Sequence, residues 1–248
     1  MEAAAAAAQR GHEVTLFDKN DVLGGQLLPA EMPPFKSKIT DLKKYLIAQL
    51  KKNGVQVKLG EEISGEFVLS NKPEVVIIAT GANLAAPDIP GIKSSHVVSA
   101  LDVLTGKEDT GKEVVIIGGG MIGCEVADFL AERERKVTIL EMTGSIGADL
   151  EGAVRWSLLH RVRKAGTRLE IDIEVKEITF YGVRARRGVE SLFFEADTIV
   201  LATGTKSDNT LAKQLEGKVT QLHIIGDAVE PRMIGEALEE GLKIACEI

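Results

Sequence analysis

The sequence has almost no cysteine, no long apolar run and no excess of basic residues, and each of these gaps excludes a class of function. Its two cysteines, Cys124 and Cys246, form no C-x-x-C pair and no Cys/His cluster for zinc or iron–sulfur, so we expect reduced thiols in a cytoplasmic protein. No apolar run reaches the ~18 residues of a membrane span, and no signal-peptide pattern is visible. The net charge of −7 argues against non-specific nucleic-acid binding.

The most informative stretch is a glycine-rich turn between an apolar strand and a helix. Residues 114–117 are β-branched and predict a buried parallel strand, and a helix is expected over residues 121–133. Glycines at positions 118, 120 and 123 have the spacing G-x-G-x-x-G. Gly118 permits the tight turn, Gly120 lets the backbone approach a pyrophosphate, and Gly123 lets helix and strand pack closely. The pattern therefore predicts a dinucleotide site.

The same stretch indicates which dinucleotide binds. Met121 and Ile122 open the helix, where free N–H groups and the helix dipole favour phosphate. The next strand, residues 137–140, ends at Glu141, the position of the acid that accepts from the ribose hydroxyls. A carboxylate repels a 2′-phosphate and no arginine stands in residues 142–144, so NAD(H) is favoured over NADP(H). A solvated glutamate at the end of a strand is the alternative interpretation.

The beginning of the chain has the layout of the second half of another such unit. Six alanines lead to Gly11, which predicts a helix with a glycine end, and residues 12–18 predict a strand that ends at Asp18. The strand and glycines that should precede the helix are missing, so we expect either a late natural start or a trimmed chain. Farther along, Gly24 and Gly25 either bring the backbone close to a nucleotide or form a simple turn.

A repeated strand ending organises the rest of the chain. One apolar strand ends in Ala79, Thr80 and Gly81, and a second ends in the same three residue types at positions 202–204. This near-repeat predicts an α/β fold of two Rossmann-like domains with two dinucleotide sites. We expect an NAD(H)-binding domain at residues 88–204, inserted into an incomplete domain formed by residues 1–87 and 205–248.

Further elements follow from periodicity and turn residues. We expect helices at residues 39–52, 96–104, 152–165 and 234–247, and an antiparallel meander at residues 174–180, 183–187 and 191–195. The four histidines are scattered along the chain and are expected to be structural, and Cys124 is expected to be a small packed residue. No residue is required as a general acid or base, so no catalytic residue is predicted.

These motifs resemble the pyridine nucleotide–disulfide reductase superfamily of two-dinucleotide-fold flavoproteins. Within it, the sequence is most similar to the C-terminal flavin and nicotinamide region of the NADH:flavin oxidoreductases, which include 2,4-dienoyl-CoA reductases and enoate reductases. Residues 11–16 with 23–27 resemble the first unit of that family. Residues 118–125, continuing through 137–142 to 146–149, resemble its second unit.

The resemblance implies a second cofactor, FAD, held by the incomplete domain. Asp18 would bind the ribose of its ADP half, and Gly24, Gly25 and Gln26 would line the flavin nucleotide. The aspartate of the pair Gly226-Asp227 would hydrogen-bond the ribityl chain, although a helix-cap or loop aspartate is the alternative. The repeated endings, including Gly204, would mark the crossings between domains, although tight turns after strands would look the same.

The resemblance implies hydride relay from NADH to FAD, and onward to a barrel domain that reduces an enoate- or enoyl-CoA-type C=C bond. The family's barrel and its iron–sulfur cysteines are not in this sequence, and neither is the flavin-side G-x-G-x-x-G, so FAD retention is open. Three hypotheses therefore remain: a truncated reductase module, a non-catalytic nucleotide-binding or interaction module, and a module completed by a separate chain. Self-association is also plausible, because an unfilled strand position leaves unpaired sheet edges.

Overall fold

A computed structural model describes residues 1–248, and it confirms the α/β fold class. The helices are α1 (Glu2–Gln9), α2 (Leu27–Ala30), α3 (Ser37–Lys52), α4 (Gly65–Asn71), α5 (Ala100–Leu104), α6 (Met121–Ala131), α7 (Gly152–Lys164), α8 (Thr210–Leu215) and α9 (Ile234–Glu247), with a 3₁₀ turn at Gly226–Ala228. None of these helices combines the length and apolar character needed to cross a membrane.

The strands are β1 (Thr15–Asp18), β2 (Gln56–Leu59), β3 (Val75–Ile78), β4 (Ala82–Leu84), β5 (Val97–Ser99), β6 (Glu113–Ile117), β7 (Lys136–Leu140), β8 (Arg168–Glu170), β9 (Glu174–Thr179), β10 (Gly182–Arg187), β11 (Glu190–Glu195), β12 (Thr198–Leu201), β13 (Thr205–Ser207) and β14 (Gln221–Ile224). The chain divides into two compact units. The first contains Met1–Leu28, Ser37–Asn83 and Thr205–Ile248, and the second contains Pro29–Lys36 and Leu84–Gly204.

The second unit is built on a five-stranded parallel sheet in the order β5-β12-β6-β7-β8. Its central strand, β6, is the apolar run that precedes the glycine turn. Val114 and Ile116 belong to a core shared with α5, α6 and α7, whereas Val115 and Ile117 belong to a core shared with the antiparallel meander β9-β10-β11. Both faces of the sheet are therefore covered, which explains why this strand is apolar at successive positions.

The helix that follows the glycine turn is buried along most of its length. Asp128 of α6 is buried, and its carboxylate accepts from the Nε–H and Nη2–H of Arg161 of α7 at 2.9 and 2.8 Å. A buried carboxylate is costly unless it is paired, so this ion pair fixes how the two helices pack. Because α6 is held in place, its N-terminus has a fixed position next to the glycine turn.

The first unit contains two separate two-stranded parallel sheets, β1-β2 and β14-β3. Helix α1 packs against α9 and α3, and Gly241 of α9 allows a close approach to Ala3. The apolar core of this unit is divided among three small clusters, whereas the second unit has two large ones. The first unit therefore has the helices of a doubly wound domain without a continuous central sheet.

A comparison of the two units identifies the missing position. Residues 136–141 correspond to residues 13–18, since Val137-Thr138 aligns with Val14-Thr15 and Glu141 with Asp18. The pair β1-β2 then matches β7-β8, and β3-β14 matches β12-β5, because β3 and β12 are both followed by Ala-Thr-Gly. Residues 1–248 contain no counterpart of β6 in the first unit, so β1 and β3, which would flank it, each pair on one side only.

The structure differs from the sequence predictions mainly in short elements. The predicted helix at residues 96–104 is instead strand β5 followed by helix α5, because Val97 and Val98 pair with β12. Ser99 ends the strand and caps the helix, where its Oγ accepts the N–H of Asp102 at 3.0 Å. The sequence did not predict α4, α8 or the short sheet β4-β13. Each of these helices and strands has seven or fewer residues.

Candidate functional site

The glycine turn between β6 and α6 has the conformation and the close contacts that its sequence predicts. Gly118 has φ +107°, and a Cβ built on it would lie 2.3 Å from the carbonyl oxygen of Ala202. A Cβ built on Gly123 would lie 2.0 Å from the carbonyl oxygen of Gly118. No side chain fits at either position, so both glycines are needed for the turn to pack between β12 and the helix.

Two carboxylates face the N–H groups of this turn. The Gly119 N–H donates to Oε2 of Glu141 at 2.7 Å, and the Met121 N–H donates to both carboxylate oxygens of Asp149, at 2.9 and 3.0 Å. Oε1 of Glu141 also accepts from the N–H and the hydroxyl of Thr143, both at 2.8 Å. The acid expected to meet the ribose therefore accepts three hydrogen bonds, one from the turn and two from Thr143.

These hydrogen bonds decide the ionisation of Glu141. Partial burial by itself would raise the pKa of its carboxyl, but donation from the N–H of Thr143 and of Gly119 outweighs burial and lowers the pKa. The carboxylate is consequently charged at neutral pH. A charged acceptor at this place suits a ribose diol and opposes a 2′-phosphate.

The lowered pKa of Glu141 predicts an acid-dependent loss of stability. A carboxyl whose pKa is depressed in the folded state stabilises the protein above its ordinary pKa, and this contribution is lost as pH falls through the folded value. Wild type should therefore lose more of its free energy of unfolding than Glu141→Gln between about pH 5 and pH 3. Urea unfolding at several pH values measures this, with Glu132→Gln, at an exposed site, as the control. Parallel curves for wild type and Glu141→Gln would contradict it.

The segment after Glu141 is bound to the turn by its backbone. The Gly147 N–H donates to the carbonyl oxygen of Gly119 at 2.6 Å, and the side chain of Ile146 is buried beside the turn. Arg155 of α7 donates from Nε and Nη2 to the carbonyl oxygen of Ile146, at 3.0 and 2.8 Å, and also contacts Ser145. We call residues 142–150 the cap loop. Its anchors place Asp149 at the start of α6.

The second repeated strand ending lies beside the same turn. The Ala202 N–H donates to the carbonyl oxygen of Ile117 at 2.8 Å, so residues 202–204 continue β12 past the glycines. Thr203 donates its hydroxyl to the carbonyl oxygen of Ala85 at 2.7 Å, and Gly204 has φ +86°. Within the second unit, the structure thus brings Gly204, the glycine turn and Glu141 to one end of the sheet.

The sequence did not predict one ion pair in this unit. Glu125 of α6 and Lys36, which belongs to the segment that folds with the second unit, form an ion pair with side chains 8% and 29% exposed. Their separation in sequence explains why no local pattern could reveal it. A buried carboxylate is costly unless its charge is paired, so the middle of α6 depends on the ion pair with Lys36.

Cys124 is inert, as expected of a packed residue. Burial, followed by the nearby charges of Asp149, Glu125 and Glu141, raises the pKa of its thiol to about 12. We expect native protein treated with iodoacetamide at pH 8 to be alkylated at the exposed Cys246 and not at Cys124, as read by peptide mass spectrometry. Denatured protein, alkylated at both, is the control. Equal labelling in the native state would contradict the packing.

In the first unit, several predicted residues lie at the carboxyl ends of parallel strands. Ile225, which follows β14, donates its N–H to the carbonyl oxygen of Ile78, so Gly226 lies beside Ala79. Thr80 donates its hydroxyl to the carbonyl oxygen of Asp208, and Gly81 accepts the Asp208 N–H at 2.9 Å. This strand-end position is where doubly wound sheets bind ligands.

The remaining predicted residues of the first unit lie in loops with local hydrogen bonds. Gly24 and Gly25 have φ +136° and +49°, which favour glycine, and Gln26 donates from Nε2 to the carbonyl oxygen of Ala82 at 3.4 Å. Asp18 ends β1 and accepts from the backbone and side chain of Asn20, each at 2.9 Å. Asp227 accepts the Arg232 N–H at 3.3 Å, the local bond expected of a loop aspartate. No three His, Cys, Asp or Glu side chains are grouped to hold a metal ion.

Comparison with known families and proteins agrees with this geometry. A family profile described as pyridine nucleotide-disulphide oxidoreductase matches residues 1–228. An NADH oxidase from Thermoanaerobacter brockii is 39% identical over 255 residues, which cover 100% of this chain and 39% of that protein. A cinnamate reductase from Clostridium sporogenes is 33% identical over 251 residues, covering 100% of this chain and 37% of that protein. The chain thus spans about two fifths of these relatives' length.

Solved structures give the same result. A 2-naphthoyl-CoA reductase in complex with 2-naphthoyl-CoA superposes with a TM-score of 0.95 at 31% identity, covering 100% of this chain and 38% of that chain. The thioredoxin reductase of T. acidophilum superposes with a TM-score of 0.76 at 21% identity, and this chain covers 92% of it, which shows a shared fold. The two-dinucleotide fold expected from the sequence is therefore confirmed.

Proposed function

This chain belongs to the pyridine nucleotide–disulphide oxidoreductase family, and from that premise we propose that it is a flavin-dependent NADH oxidoreductase module. One observation carries the proposal: the glycine turn of residues 118–123 and the charged Glu141 meet at 2.7 Å, at the N-terminus of a buried helix. Such a turn and acid bind the pyrophosphate and the ribose of a dinucleotide.

The second unit supplies the nicotinamide-nucleotide site. The first-turn N–H groups of α6, including those of Met121 and Ile122, would receive the pyrophosphate, and Gly120 would let it approach. Glu141 would accept from the ribose hydroxyls, and its charge favours NADH over NADPH. In this proposal residues 88–204 form the NAD(H)-binding domain, and residues 1–87 with 205–248 form the FAD-type domain.

The first unit fits FAD in part. Asp18, the turn at Gly24–Gln26, the ending at Ala79–Gly81 and the Gly226-Asp227 pair lie at or after strand ends, where a flavin nucleotide would be held. Residues 1–248 contain no counterpart of β6 and its glycines in this unit, so the N–H donors that the glycine turn supplies in the second unit are missing here. We therefore propose NAD(H) as the stronger ligand and FAD as the weaker one.

When bound, a flavin accepts a hydride from NADH and passes electrons to an acceptor. The residues of this chain contribute binding and orientation: the glycine turn and Glu141 position the nucleotide, and buried α6 keeps that position fixed. We propose that the acceptor is an enoate- or enoyl-CoA-type C=C bond reduced by a barrel domain outside this chain. The names of two relatives, a cinnamate reductase and a 2-naphthoyl-CoA reductase, support this substrate class.

The second candidate is a nucleotide-binding module without turnover of its own. The unpaired edges of β1 and β3 favour it, because residues 1–248 alone would bind flavin without a strand and glycine turn between those edges. Isothermal titration with NADH, NADPH and FAD, followed by anaerobic mixing of NADH with the FAD-loaded chain, separates the two. Bleaching of the flavin absorption band supports the reductase module. NADH binding without bleaching supports the second candidate, and no NADH binding overturns both.

A further inference from the structure

Asp149 holds the position that a nucleotide phosphate would need. Both of its carboxylate oxygens accept the Met121 N–H, and Oδ2 lies 3.1 Å from a Cβ built on Gly120. Gly120 is the N-cap residue of α6 and has no side chain to cap the helix. The negative charge attracted by this helix end therefore comes from a residue 28 positions farther along the chain.

The cap loop keeps that carboxylate in place. Buried Ile146 and Leu150 flank Asp149, and the Gly147 N–H donates to the carbonyl oxygen of Gly119. Arg155 donates two further hydrogen bonds to the carbonyl oxygen of Ile146. Asp149 itself is exposed, so its side chain can rotate into solvent while the anchored backbone stays. The cap loop thus places the Asp149 carboxylate next to the turn while leaving it exposed to solvent.

We propose that Asp149 is a tethered competitor of the dinucleotide pyrophosphate, and so sets the affinity of the site for nucleotides that carry phosphate. The inference rests on the proposed function, because it takes the glycine turn as the pyrophosphate site. A pyrophosphate would compete with the carboxylate for the same N–H, and their like charges repel at this distance. Binding therefore requires the Asp149 side chain to leave.

The proposal distinguishes ligands by charge. NADH and ADP-ribose both bring a pyrophosphate to the turn, and both must displace the carboxylate. Adenosine has the base and ribose without phosphate, and it can bind while Asp149 remains in place. Removing the charge should strengthen the first two ligands and leave the third unchanged, a pattern that a purely structural role of Asp149 would not produce.

The experiment compares wild type with Asp149→Asn by isothermal titration, with NADH, ADP-ribose and adenosine as ligands. Asparagine can still accept the Met121 N–H, so the helix stays capped while the charge is lost. We expect Kd for NADH and for ADP-ribose to fall about tenfold, equivalent to about 1.4 kcal/mol, with Kd for adenosine unchanged. Asp88→Asn, at an exposed aspartate of the same unit, makes the same change in net charge and should alter none of the three.

The outcomes separate this inference from the proposed function. Unchanged or weaker NADH binding by Asp149→Asn overturns the competitor role while leaving the NAD(H) site intact. An equal gain in Asp88→Asn assigns the effect to net charge and also overturns it. If neither wild type nor Asp149→Asn binds NADH, the proposed function fails as well. A gain that extends to adenosine would show a looser site and would contradict competition at the phosphate.

Discussion

A chain that carries a second copy of residues 112–123 directly ahead of Met1 is expected to bind FAD at least about a hundredfold more tightly than residues 1–248 alone. The alignment of Val14-Thr15 with Val137-Thr138 places Met1 opposite Cys124, so the added segment ends where the third glycine is required. Its strand would pair with β1 and β3, which correspond to the neighbours of β6 and each lack one partner. Its glycine turn would supply N–H donors to the FAD pyrophosphate.

The size of this effect follows from the hydrogen bonds gained. Each charge-assisted bond from a backbone N–H to phosphate contributes about 1.5–3 kcal/mol, and two such bonds change Kd by roughly two to four orders of magnitude. Completing the sheet should also raise the stability of the first unit, because its divided core would become continuous across a central strand. Retained flavin after desalting, and Kd from quenching of flavin fluorescence, give the affinity.

Two altered copies separate the strand from the turn. Proline at the copied positions of Val115 and Ile116 removes two successive backbone N–H donors, which point to the two opposite neighbouring strands. This variant should show neither the gain in stability nor the gain in FAD affinity. Valine at the copied positions of Gly118 and Gly120 should keep much of the added stability and lose the FAD gain. Equal FAD binding by all of these chains, including the unextended one, would show that the first unit has no place for such a strand.

The local geometry of the candidate nucleotide site could be predicted from sequence because its signals are short in range. A β-branched strand, a G-x-G-x-x-G turn and an acid after the next strand all fall within residues 114–141, and each depends on backbone geometry that only a few residue types allow. The structure places Gly118, Gly123 and Glu141 together for that reason. The α/β class followed from the same periodicities.

The contacts that complete the site could not be predicted, because they join distant segments. Asp149 reaches Met121 through a loop whose course is set by Arg155 and Ile146, and Lys36 reaches Glu125 from a segment that is separated in sequence from the rest of the second unit. No periodicity in a single sequence encodes such pairings. The helix predicted at residues 96–104 was wrong in its first part for a related reason, since pairing of Val97 and Val98 with β12 outweighs local propensity.

Gly123→Ala is expected to lower the free energy of unfolding by more than about 3 kcal/mol, and the melting temperature by roughly 10 °C. A single methyl group at this position would meet the carbonyl oxygen of Gly118 at 2.0 Å, so α6 has to move away from β6. That movement opens the most buried part of the second unit and displaces the N–H groups that would hold phosphate. Stabilisation of the second unit by NADH should be lost together with the packing.

Gly152→Ala is the matched control for this substitution, because Gly152 is also a helical glycine of the same unit. A Cβ built on Gly152 meets nothing within 4 Å, and alanine there should leave stability unchanged or raise it by up to about 1 kcal/mol. Urea unfolding followed by far-UV circular dichroism, with and without NADH, measures both variants. If Gly123→Ala and Gly152→Ala had the same free energy of unfolding, the close approach of α6 to the turn would be wrong. The N-terminus of α6 would then also not be fixed in position to bind phosphate.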